Sequence, residues 1–403
     1  MIVGDIDEAL CSTYFILTLS ISALVSAMYL GTVQAATNVG GIIVTDTVWT
    51  EANSPYVLTG NVLVDNGVIL TIEPEVTIDL IDFYIMVNGT LQALGNETNP
   101  VTFDGGQITF TQYSTDWNGS TSTGCIIQNA VLNSSINVEG GVLNISNNTI
   151  TGAISVDGGN PNISNNTILS QGISLGLHSR NSTISNNIIY GCSVGIATLL
   201  DHNSSSMIQG NLIINNVYGI RLGSWFTEAG YPIVQNNTVT NNTNGIVLGS
   251  LGDQFAPTII YNNVFNNTNY NMVVEENFPA NTNATLNWWG TTDTQAINQT
   301  IYDFYDDFNK GKINFAPFLT DINPEAPAPE IPPLIPESPS PLIISILLAT
   351  ILIATLIFKK QNRKIQATNE QRYLYMSDHH FSRVTIFMLE NIFHPEKVQF
   401  SSV

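Results

Sequence analysis

Aromatic and acidic side chains occur together in three segments, each of which follows an apolar stretch, ending at Leu222, Leu248 or Val274. Aromatic rings can stack on the apolar faces of sugars and carboxylates can accept hydrogen bonds from hydroxyl groups, so the combination predicts a groove for a neutral or basic sugar. The alternative is that these rings only cover the side of the protein. The candidate ligand-binding residues are Trp225, Phe226, Glu228, Tyr231, Asp253, Phe255, Glu276 and Phe278.

The same carboxylates could in principle act on a glycosidic bond. Glycosidases need two carboxyl groups separated by about 5 to 9 Å, and loop geometry cannot be read from a sequence. A polysaccharide lyase or glycoside hydrolase that uses these loops is therefore an alternative to a binding protein, and no residue is assigned a catalytic role.

Metal ligands are sparse between the two long apolar segments near the ends of the chain. His178 and His202 are the only histidines there, and the nearby Met207 and Met272 are isolated, which makes a copper site a weak hypothesis. A trio of acidic residues lacks the spacing of an EF-hand loop: Asp303, Asp306 and Asp307. We expect no metal and no cofactor.

A repeated phrase of the form apolar-x-Asn-Asn-x-apolar organises the region that carries these side chains. Its Asn or equivalent residue falls at positions 129, 147, 165, 186, 210, 236, 262 and 287, so successive steps are 18, 18, 21, 24, 26, 26 and 25 residues. A period of this size indicates a solenoid of one repeated supersecondary unit. We expect the Asn side chains of the phrase, including Asn147, Asn165 and Asn236, to be used inside the fold.

A second apolar-x-apolar column follows each phrase, as at Ile136 and Val138 or Ile154 and Val156. Both columns are short and alternate with a period of two, which predicts at least two short strands per repeat. A helical solenoid needs about 33 residues per repeat. The pattern therefore predicts an all-β fold, a parallel β-helix with coils about 4.8 Å apart.

The repeat lengthens at one point only, between the second column and the next Asn phrase. Insertions at one point of each repeat lie on one face of a solenoid, which is often its binding face. On the outer side of the second column no carboxylate occurs, so the clustered acidic residues expected of a lyase are missing there. Those outward positions are Asn137, Ser155, Ser174, Ala197, Arg221, Val247 and Val273.

The two ends of the repeat region resemble a known family. An alternation of strands and turns is predicted at residues 49–64, 69–78 and 87–95. It resembles the N-terminal coils of exported right-handed parallel β-helix repeat proteins of archaea and bacteria, except that Glu75 stands where the family usually has Gly. Residues 287–290 and 301–318 resemble the C-terminal cap of the same family. The resemblance implies a right-handed β-helix over about residues 45–320 and, because many members are associated with carbohydrates, a glycan-binding or structural role. A likeness to the periplasmic maturation factor of nitrous-oxide reductase, which handles copper, is a third reading.

The C-terminal end of a β-helix needs a cap because its last strands have unpaired edge groups. Ile297, Ile301, Phe304 and Phe308 recur at helical spacing, which predicts an amphipathic helix over residues 293–308. Trp288 and Trp289 are expected to fill the seam beneath it.

Composition and charge limit the possible partners. The chain has 403 residues, a formal charge of −21 and only 11% charged residues. Between the two apolar end segments the basic residues are Arg180, Arg221, Lys310 and Lys312, so no basic patch can form and nucleic acid is excluded.

The N-terminal segment predicts export. Residues 14–30 are apolar and are followed by Val33-Gln34-Ala35, a small-residue cleavage pattern, although the preceding residues carry no Lys or Arg. Residues 1–35 are thus a signal peptide or an N-terminal anchor. Cys125 and Cys192 should lie three coils and about 14 Å apart, too far for a disulfide, so we expect buried free thiols.

Sequons for N-glycosylation suit an exported protein, although an Asn-rich repeat also produces them by chance. About fifteen are present. The glycosylation candidates are Asn88, Asn96, Asn118, Asn181, Asn203, Asn241, Asn283 and Asn298.

The C-terminal part predicts a membrane tether. Residues 321–341 are rich in proline and form a semi-rigid linker. Residues 342–358 contain no charge and are followed by Lys359 and Lys360, which predicts a transmembrane helix with residues 359–403 as a cytoplasmic tail.

These segments give the expected organisation: an N-terminal β cap with the first coils over 36–106, β-helix repeats over 107–290, and a helix and strand cap over 291–320 before the linker. The expected protein is a rod displayed on the cell surface. The membrane, and cell-surface glycans or surface-layer proteins, are its expected partners.

Overall fold

The computed structural model describes residues 35–179, 181–200, 205–224, 231–249, 257–275 and 280–330. Nearly all regular structure in these residues is β-strand, and neighbouring strands of successive repeats pair in parallel. The strands form a solenoid of three stacked faces, which we call sheets I, II and III. The predicted parallel β-helix is thus confirmed.

Sheet I contains ten strands, one from each successive coil. They are β2 (Thr47–Trp49), β4 (Ile69–Ile72), β6 (Thr90–Leu94), β8 (Ile126–Gln128), β11 (Asn144–Ser146), β14 (Asn162–Ser164), β17 (Thr183–Ser185), β20 (Met207–Gln209), β23 (Ile233–Gln235) and β26 (Thr258–Ile260). At about 4.8 Å per coil, nine steps give a rod of roughly 43 Å.

Sheets II and III begin as one sheet and separate at β7, which pairs with β9 through residues 101–103 and with β10 through residues 107–110. The long strands before the separation are β1 (Thr37–Ile43), β3 (Tyr56–Val64), β5 (Thr77–Val87) and β7 (Val101–Phe110). Sheet II then contains β9 (Ala130–Leu132), β12 (Thr149–Ile150), β15 (Thr167–Leu169), β18 (Ile188–Tyr190), β21 (Leu212–Ile214), β24 (Thr238–Thr240) and β27 (Asn263–Phe265).

Sheet III is formed by the second apolar-x-apolar column of each repeat. It contains β10 (Ser135–Glu139), β13 (Ile154–Gly159), β16 (Ile173–Ser179), β19 (Val194–Leu200), β22 (Tyr218–Ser224), β25 (Asn244–Leu248), β28 (Tyr270–Val274) and β30 (Ile301–Tyr302). A short pair, β29 (Thr282–Asn283) and β31 (Ile313–Asn314), and two small helices complete the fold: a 3-10 helix (Glu51–Asn53) and α1 (Thr294–Gln299).

Each sheet directs apolar columns into the bore of the rod. In sheet III, for example, Ile136, Ile154 and Ile173 stack in register and are almost completely buried. One continuous apolar cluster runs from Trp49 to Ile313, so the core follows the whole described length of the rod. Because burial of apolar surface is the main favourable term in folding, this column specifies the register of every coil.

The two adjacent positions of the repeated Asn-Asn motif form two separate columns along the rod. The sequence pattern did not distinguish them. The first column turns the corner from sheet I to sheet II with φ between 51° and 64°, a conformation that Asn and Gly tolerate. It consists of Asn129, Asn147, Asn165, Asn186, Gly210, Asn236, Tyr261 and Leu286. Asn147 and Asn165 are exposed, so the expectation that their side chains are used internally is wrong.

The second column, one residue later, is the buried Asn ladder. From Asn166 onward, each side chain accepts from the backbone N–H and the Nδ2 of its predecessor at 2.8–3.0 Å, and donates from its own Nδ2 to a carbonyl of the preceding coil. Adjacent residues point in opposite directions here, which is why only the second Asn is internal. The ladder residues are Asn148, Asn166, Asn187, Asn211, Asn237, Asn262 and Asn287.

A second, shorter ladder lies at the corner between sheets II and III. The Oδ1 atoms of Asn216, Asn242 and Asn267 each accept from the backbone of the preceding coil at 2.9–3.0 Å. Cys192 begins this column, and its buried thiol is free, as is that of Cys125. The expectation of two buried free thiols is confirmed.

The C-terminal cap differs from the predicted helix over 293–308. Helix α1 has only six residues, with the Asp293 carboxylate accepting from the N–H groups of Gln295 and Ala296. The helix ends because Ile301 pairs with Met272 and extends sheet III by one strand. Phe304 and Phe308 consequently lie in an exposed loop and do not cover the last coil, whereas Trp289 is buried in the core.

After the cap the chain reverses and lies on the outer face of sheet II. We call residues 318–330 the strap. The N–H of Leu319 donates to Asn287 O, Asn323 exchanges hydrogen bonds with the side chain of Asn263 at 2.7 and 3.1 Å, and Thr238 Oγ donates to Pro327 O at 2.5 Å. Residues 321–330, the first part of the predicted linker, therefore lie along the rod, while 331–341 lie outside the described residues.

Candidate functional site

The sequence predicts ligand binding by the loops that follow Leu222, Leu248 and Val274, which we call the long-loop edge. The structure describes these loops only next to the strands that they connect. Trp225, Phe226, Glu228, Asp253, Phe255, Glu276 and Phe278 lie outside the described residues. Tyr231 is described, and its side chain is 44% exposed at the point where the chain returns to sheet I. One of the predicted rings is therefore accessible beside the rod.

An ion pair lies on sheet III next to these loops. Arg221 Nη2 and Nε lie 2.7 and 3.2 Å from Glu275 Oε2, so the two side chains span the intervening coil of β25. Val247, the outward residue of that coil, is buried. Both charges are partly exposed, and such a pair contributes about 0–1 kcal/mol to stability. The pair is not apparent from the sequence because Arg221 and Glu275 are 54 residues apart.

The rest of the outer face of sheet III is uncharged over the same coils. Its strands carry Ser174, Ala197, Val247 and Val273 at the outward positions, in the register expected from the sequence. Arg221 is the exception, and Glu275 compensates its charge. These outward positions are thus neutral overall, while Glu139, Asp157 and His178 are exposed near the ends of β10, β13 and β16.

A shallow groove of about 530 Å³ follows the opposite edge of sheet III, at the corner with sheet II. Its hydroxyl and amide groups come from successive coils, and Val217 adds a 47% exposed apolar side chain. Repeated Asn-Asn pairs at 215–216, 241–242 and 266–267 are the sequence signal that could have identified this corner. The lining residues are Gly191, Cys192, Ser193, Asn215, Asn216, Val217, Asn241, Thr243 and Thr268.

The groove provides neutral hydrogen-bond donors and acceptors, and Tyr231 provides an exposed aromatic ring where the chain returns to sheet I. The strands of sheet III beside the groove have five to seven residues, or about 17–23 Å at 3.3 Å per residue.

The Asp residues of the cap are engaged by the backbone. Asp303 is buried and accepts from the N–H groups of Tyr305 and Ile313, and Asp306 accepts from the N–H of Asp303. The N–H of Asn309, which donates to Asp307, holds the pKa of that carboxyl below its usual range. These carboxylates stabilise turns, and the loop that carries them is not helical, since α1 ends at Gln299.

The described residues contain no group of three or more His, Cys, Asp and Glu side chains that could hold a metal ion. His178 Nδ1 lies 3.9 Å from the Asp157 carboxylate, and both side chains are largely exposed. His202, the other candidate copper ligand, lies outside the described residues.

The glycosylation candidates are mostly accessible. Asn88 is half-buried and accepts a hydrogen bond from Thr111 Oγ at 2.7 Å. Asn203 lies outside the described residues. The exposed candidates are Asn96, Asn118, Asn181, Asn241, Asn283 and Asn298.

Comparison with known proteins gives one family. Residues 132–301 match the family model of the right-handed β-helix region. Over the matched residues the family model and the stacked parallel coils agree on the same fold, a right-handed β-helix. No curated protein and no solved structure matches the chain.

No helix among the described residues is long and apolar enough to cross a membrane. The predicted signal segment, apart from Ala35, and the predicted span over 342–358 both lie outside the described residues.

Proposed function

We propose that this protein is a non-catalytic rod on the cell surface that binds a neutral glycan on the outer face of sheet III. The observation that carries the proposal is the groove of hydroxyl and amide groups at the corner between sheets II and III, beside an outward column of sheet III whose charged residue, Arg221, is paired with Glu275. A right-handed β-helix fits a binding or structural module.

The chemistry of this face favours an uncharged ligand. Ser193, Asn215 and Thr243 offer both donors and acceptors, as sugar hydroxyls require, and no unpaired charge lies beside them on the described strands. Tyr231, together with the proposed Trp225, would stack on the apolar side of a sugar ring. The acids Glu228, Asp253 and Glu276 would accept from hydroxyl groups.

The proposed location follows from the chain ends. Residues 1–35 would direct export, and residues 342–358 would hold the rod at the membrane with the tail, residues 359–403, in the cytoplasm. Surface glycans or surface-layer proteins would then be within reach of the rod. Exposed sequons such as Asn118 and Asn298 suit this side of the membrane.

The first alternative is hydrolysis or elimination of a polysaccharide by the carboxylates of the long loops. The second alternative is copper handling. The outward column of sheet III from Asn137 to Val273 carries no carboxylate, and the second relies on His178 and on His202. The β-helix fold fits a carbohydrate-active enzyme as well as a binding module, and we prefer binding because the groove offers neutral hydrogen-bonding groups.

The binding site can be tested with single aromatic substitutions in the full-length protein. Tyr231→Ala and Trp225→Ala should weaken retention of a neutral oligosaccharide at least tenfold, since a stacked ring contributes on the order of 1.4 kcal/mol. Their melting temperatures should stay within about 2 °C of the parent, because surface substitutions cost little.

Tyr113→Ala is the matched control, because Tyr113 is 61% exposed and lies near the N-terminal coils. This variant should bind as the parent does. If Tyr231→Ala and Trp225→Ala instead lower the melting temperature while binding is unchanged, the rings only cover the rod and the proposed site is wrong.

A further inference from the structure

Three coils carry the same acceptor sequence for N-linked glycosylation, Asn-Asn-Thr, at the corner between sheets I and II. The copies are residues 147–149, 165–167 and 236–238. The first Asn of each copy has a φ of 58°, 56° or 54°, respectively. Because the sequence and the backbone are the same, only the surroundings of each copy decide whether it is open to a sugar.

The first copy turns its first and third side chains to solvent and its second into the ladder. Asn147 and Thr149 are exposed, whereas Asn148 is buried. The next coil repeats the arrangement, with Asn165 exposed and its Thr half-buried. The amide and the hydroxyl that define the acceptor sequence therefore face outward together in both coils.

The third copy is covered by the strap. The side chain of Asn236 is half-buried, and its Oδ1 accepts from Asn323 Nδ2 at 3.0 Å. Thr238 is completely buried, and its Oγ donates to Pro327 O. A sugar on Asn236 would have to displace the strap, which Asn323 also holds through its hydrogen bonds with Asn263.

Two further acceptor sequences, Asn-Ile-Ser, lie in the same coils on sheet I, but their amide nitrogens are engaged. Asn162 Nδ2 donates to Asn144 Oδ1 at 3.0 Å and to Ser164 Oγ at 3.3 Å. The Nδ2 of Asn144 donates to the serine of its own motif at 3.2 Å. Among the described residues, no hydrogen bond holds the side chain of Asn147 or Asn165, so their amide nitrogens are available.

We infer that Asn147 and Asn165 carry N-linked glycans and that Asn236 does not. In the transfer, the amide Nδ2 attacks the anomeric carbon of a sugar that a lipid carries on a phosphate group. The bond from nitrogen to the anomeric carbon forms, the bond from that carbon to the phosphate oxygen breaks, and the lipid phosphate leaves. One amide proton passes to solvent. The inference rests on the proposed export, which brings the chain to such a lipid-linked donor.

The two glycans project from a corner that the candidate groove does not use. Ile145 pairs with Ile163 and Thr149 with Thr167, so the two acceptor residues stack in adjacent coils, about 4.8 Å apart. The groove lies at the corner between sheets II and III. The sugars therefore form one cluster on the N-terminal side of the strap and leave the groove open.

Glycopeptide mass spectrometry of the full-length protein, purified from the cells that produce it, tests the inference. Electron-transfer fragmentation keeps the sugar on its Asn and so separates acceptor residues that are only three positions apart. We expect at least tenfold higher occupancy at Asn147 and Asn165 than at Asn236, Asn144 and Asn162. Absence of sugar from either of the first two residues, or equal occupancy at Asn236, would overturn the inference.

A pair of variants at Thr149 separates glycosylation from any other modification of Asn147. Thr149→Ala removes the hydroxyl of the acceptor sequence and should abolish the sugar on Asn147, whereas Thr149→Ser should keep it. Both variants should fold, because Thr149 is exposed, and circular dichroism checks this. A sugar that persists in Thr149→Ala would contradict the inference. Protease treatment of intact cells tests the location separately, and a released rod without these sugars would count against the glycosylation alone.

Discussion

Replacement of Asn187 by Asp tests the buried ladder with a change of one atom. Asn187 Nδ2 donates to Ile163 O and to Asn211 Oδ1, both at 2.9 Å, while its Oδ1 accepts from the backbone N–H and the Nδ2 of Asn166. Asn187→Asp keeps the shape and both accepted bonds but removes both donated ones. Two buried acceptors then face a carboxylate.

The expected loss follows from these two bonds. Ile163 O loses its side-chain donor, whereas Asn211 Oδ1 keeps the backbone N–H of residue 187 but faces a carboxylate. A buried polar group left without its partner costs about 1–3 kcal/mol, so the expected loss is on the order of 3 kcal/mol at pH 7. The loss should depend on pH, because burial raises the pKa of the new carboxyl above its unfolded value of about 3.9. Protonation restores one donor. The variant should therefore be least destabilised below about pH 4 and should lose further stability as pH rises through the folded pKa.

Chemical denaturation followed by circular dichroism, with hydrogen exchange on the coil of Asn187, measures this effect in the full-length protein. Asn186→Asp is the matched control, since Asn186 is exposed at the corner with φ 55° and should change stability by no more than about 0.5 kcal/mol. Neither residue is in a sequon, so glycosylation does not interfere. Equal losses in the two variants, or a larger loss at Asn186, would refute the assignment of the ladder.

Three further predictions concern other parts of the chain. Burial raises the pKa of the Cys125 and Cys192 thiols to about 11, so at pH 8 only about one thiol in a thousand is ionised. A thiol reagent should therefore label these cysteines only after the protein is unfolded in urea. Rapid labelling of the native protein would contradict this prediction. Glu75 has φ 68°, so Glu75→Gly should stabilise the fold by about 1 kcal/mol in the same denaturation assay, whereas a loss of stability would show that its carboxylate is needed. Protease added to intact cells should remove the rod and leave residues 359–403 protected, and a protected rod would contradict the proposed topology.

The fold could be predicted from the sequence because a β-helix repeats one local pattern. Apolar residues at alternate positions, such as Ile154 and Val156, define which face of each strand is buried, and the repeat length defines the coil. The distinction between Asn165 and Asn166 was missed because two adjacent Asn residues give no periodic signal about which one points inward. The sequence pattern also made Asn262 the equivalent of Asn236. Val234 pairs with Ile259 and not with Ile260, so this alignment is one residue out and Asn262 belongs to the buried column.

The cap and the strap were less predictable because they rely on contacts distant in sequence. Ile301 leaves its helical pattern to pair with Met272, and Asn323 is fixed by Asn263, 60 residues away. No local propensity indicates either contact. The Arg221 and Glu275 pair is separated by 54 residues and was missed for the same reason.

We propose that the rod binds a neutral glycan without cleaving it. The most direct measurement is a glycan array with the purified full-length protein, followed by an assay for new reducing ends and unsaturated products on every glycan retained. The account predicts retention of neutral oligosaccharides, weakened at least tenfold by Tyr231→Ala, and no product above the protein-free blank. Product release, or retention of no glycan at all, would contradict it.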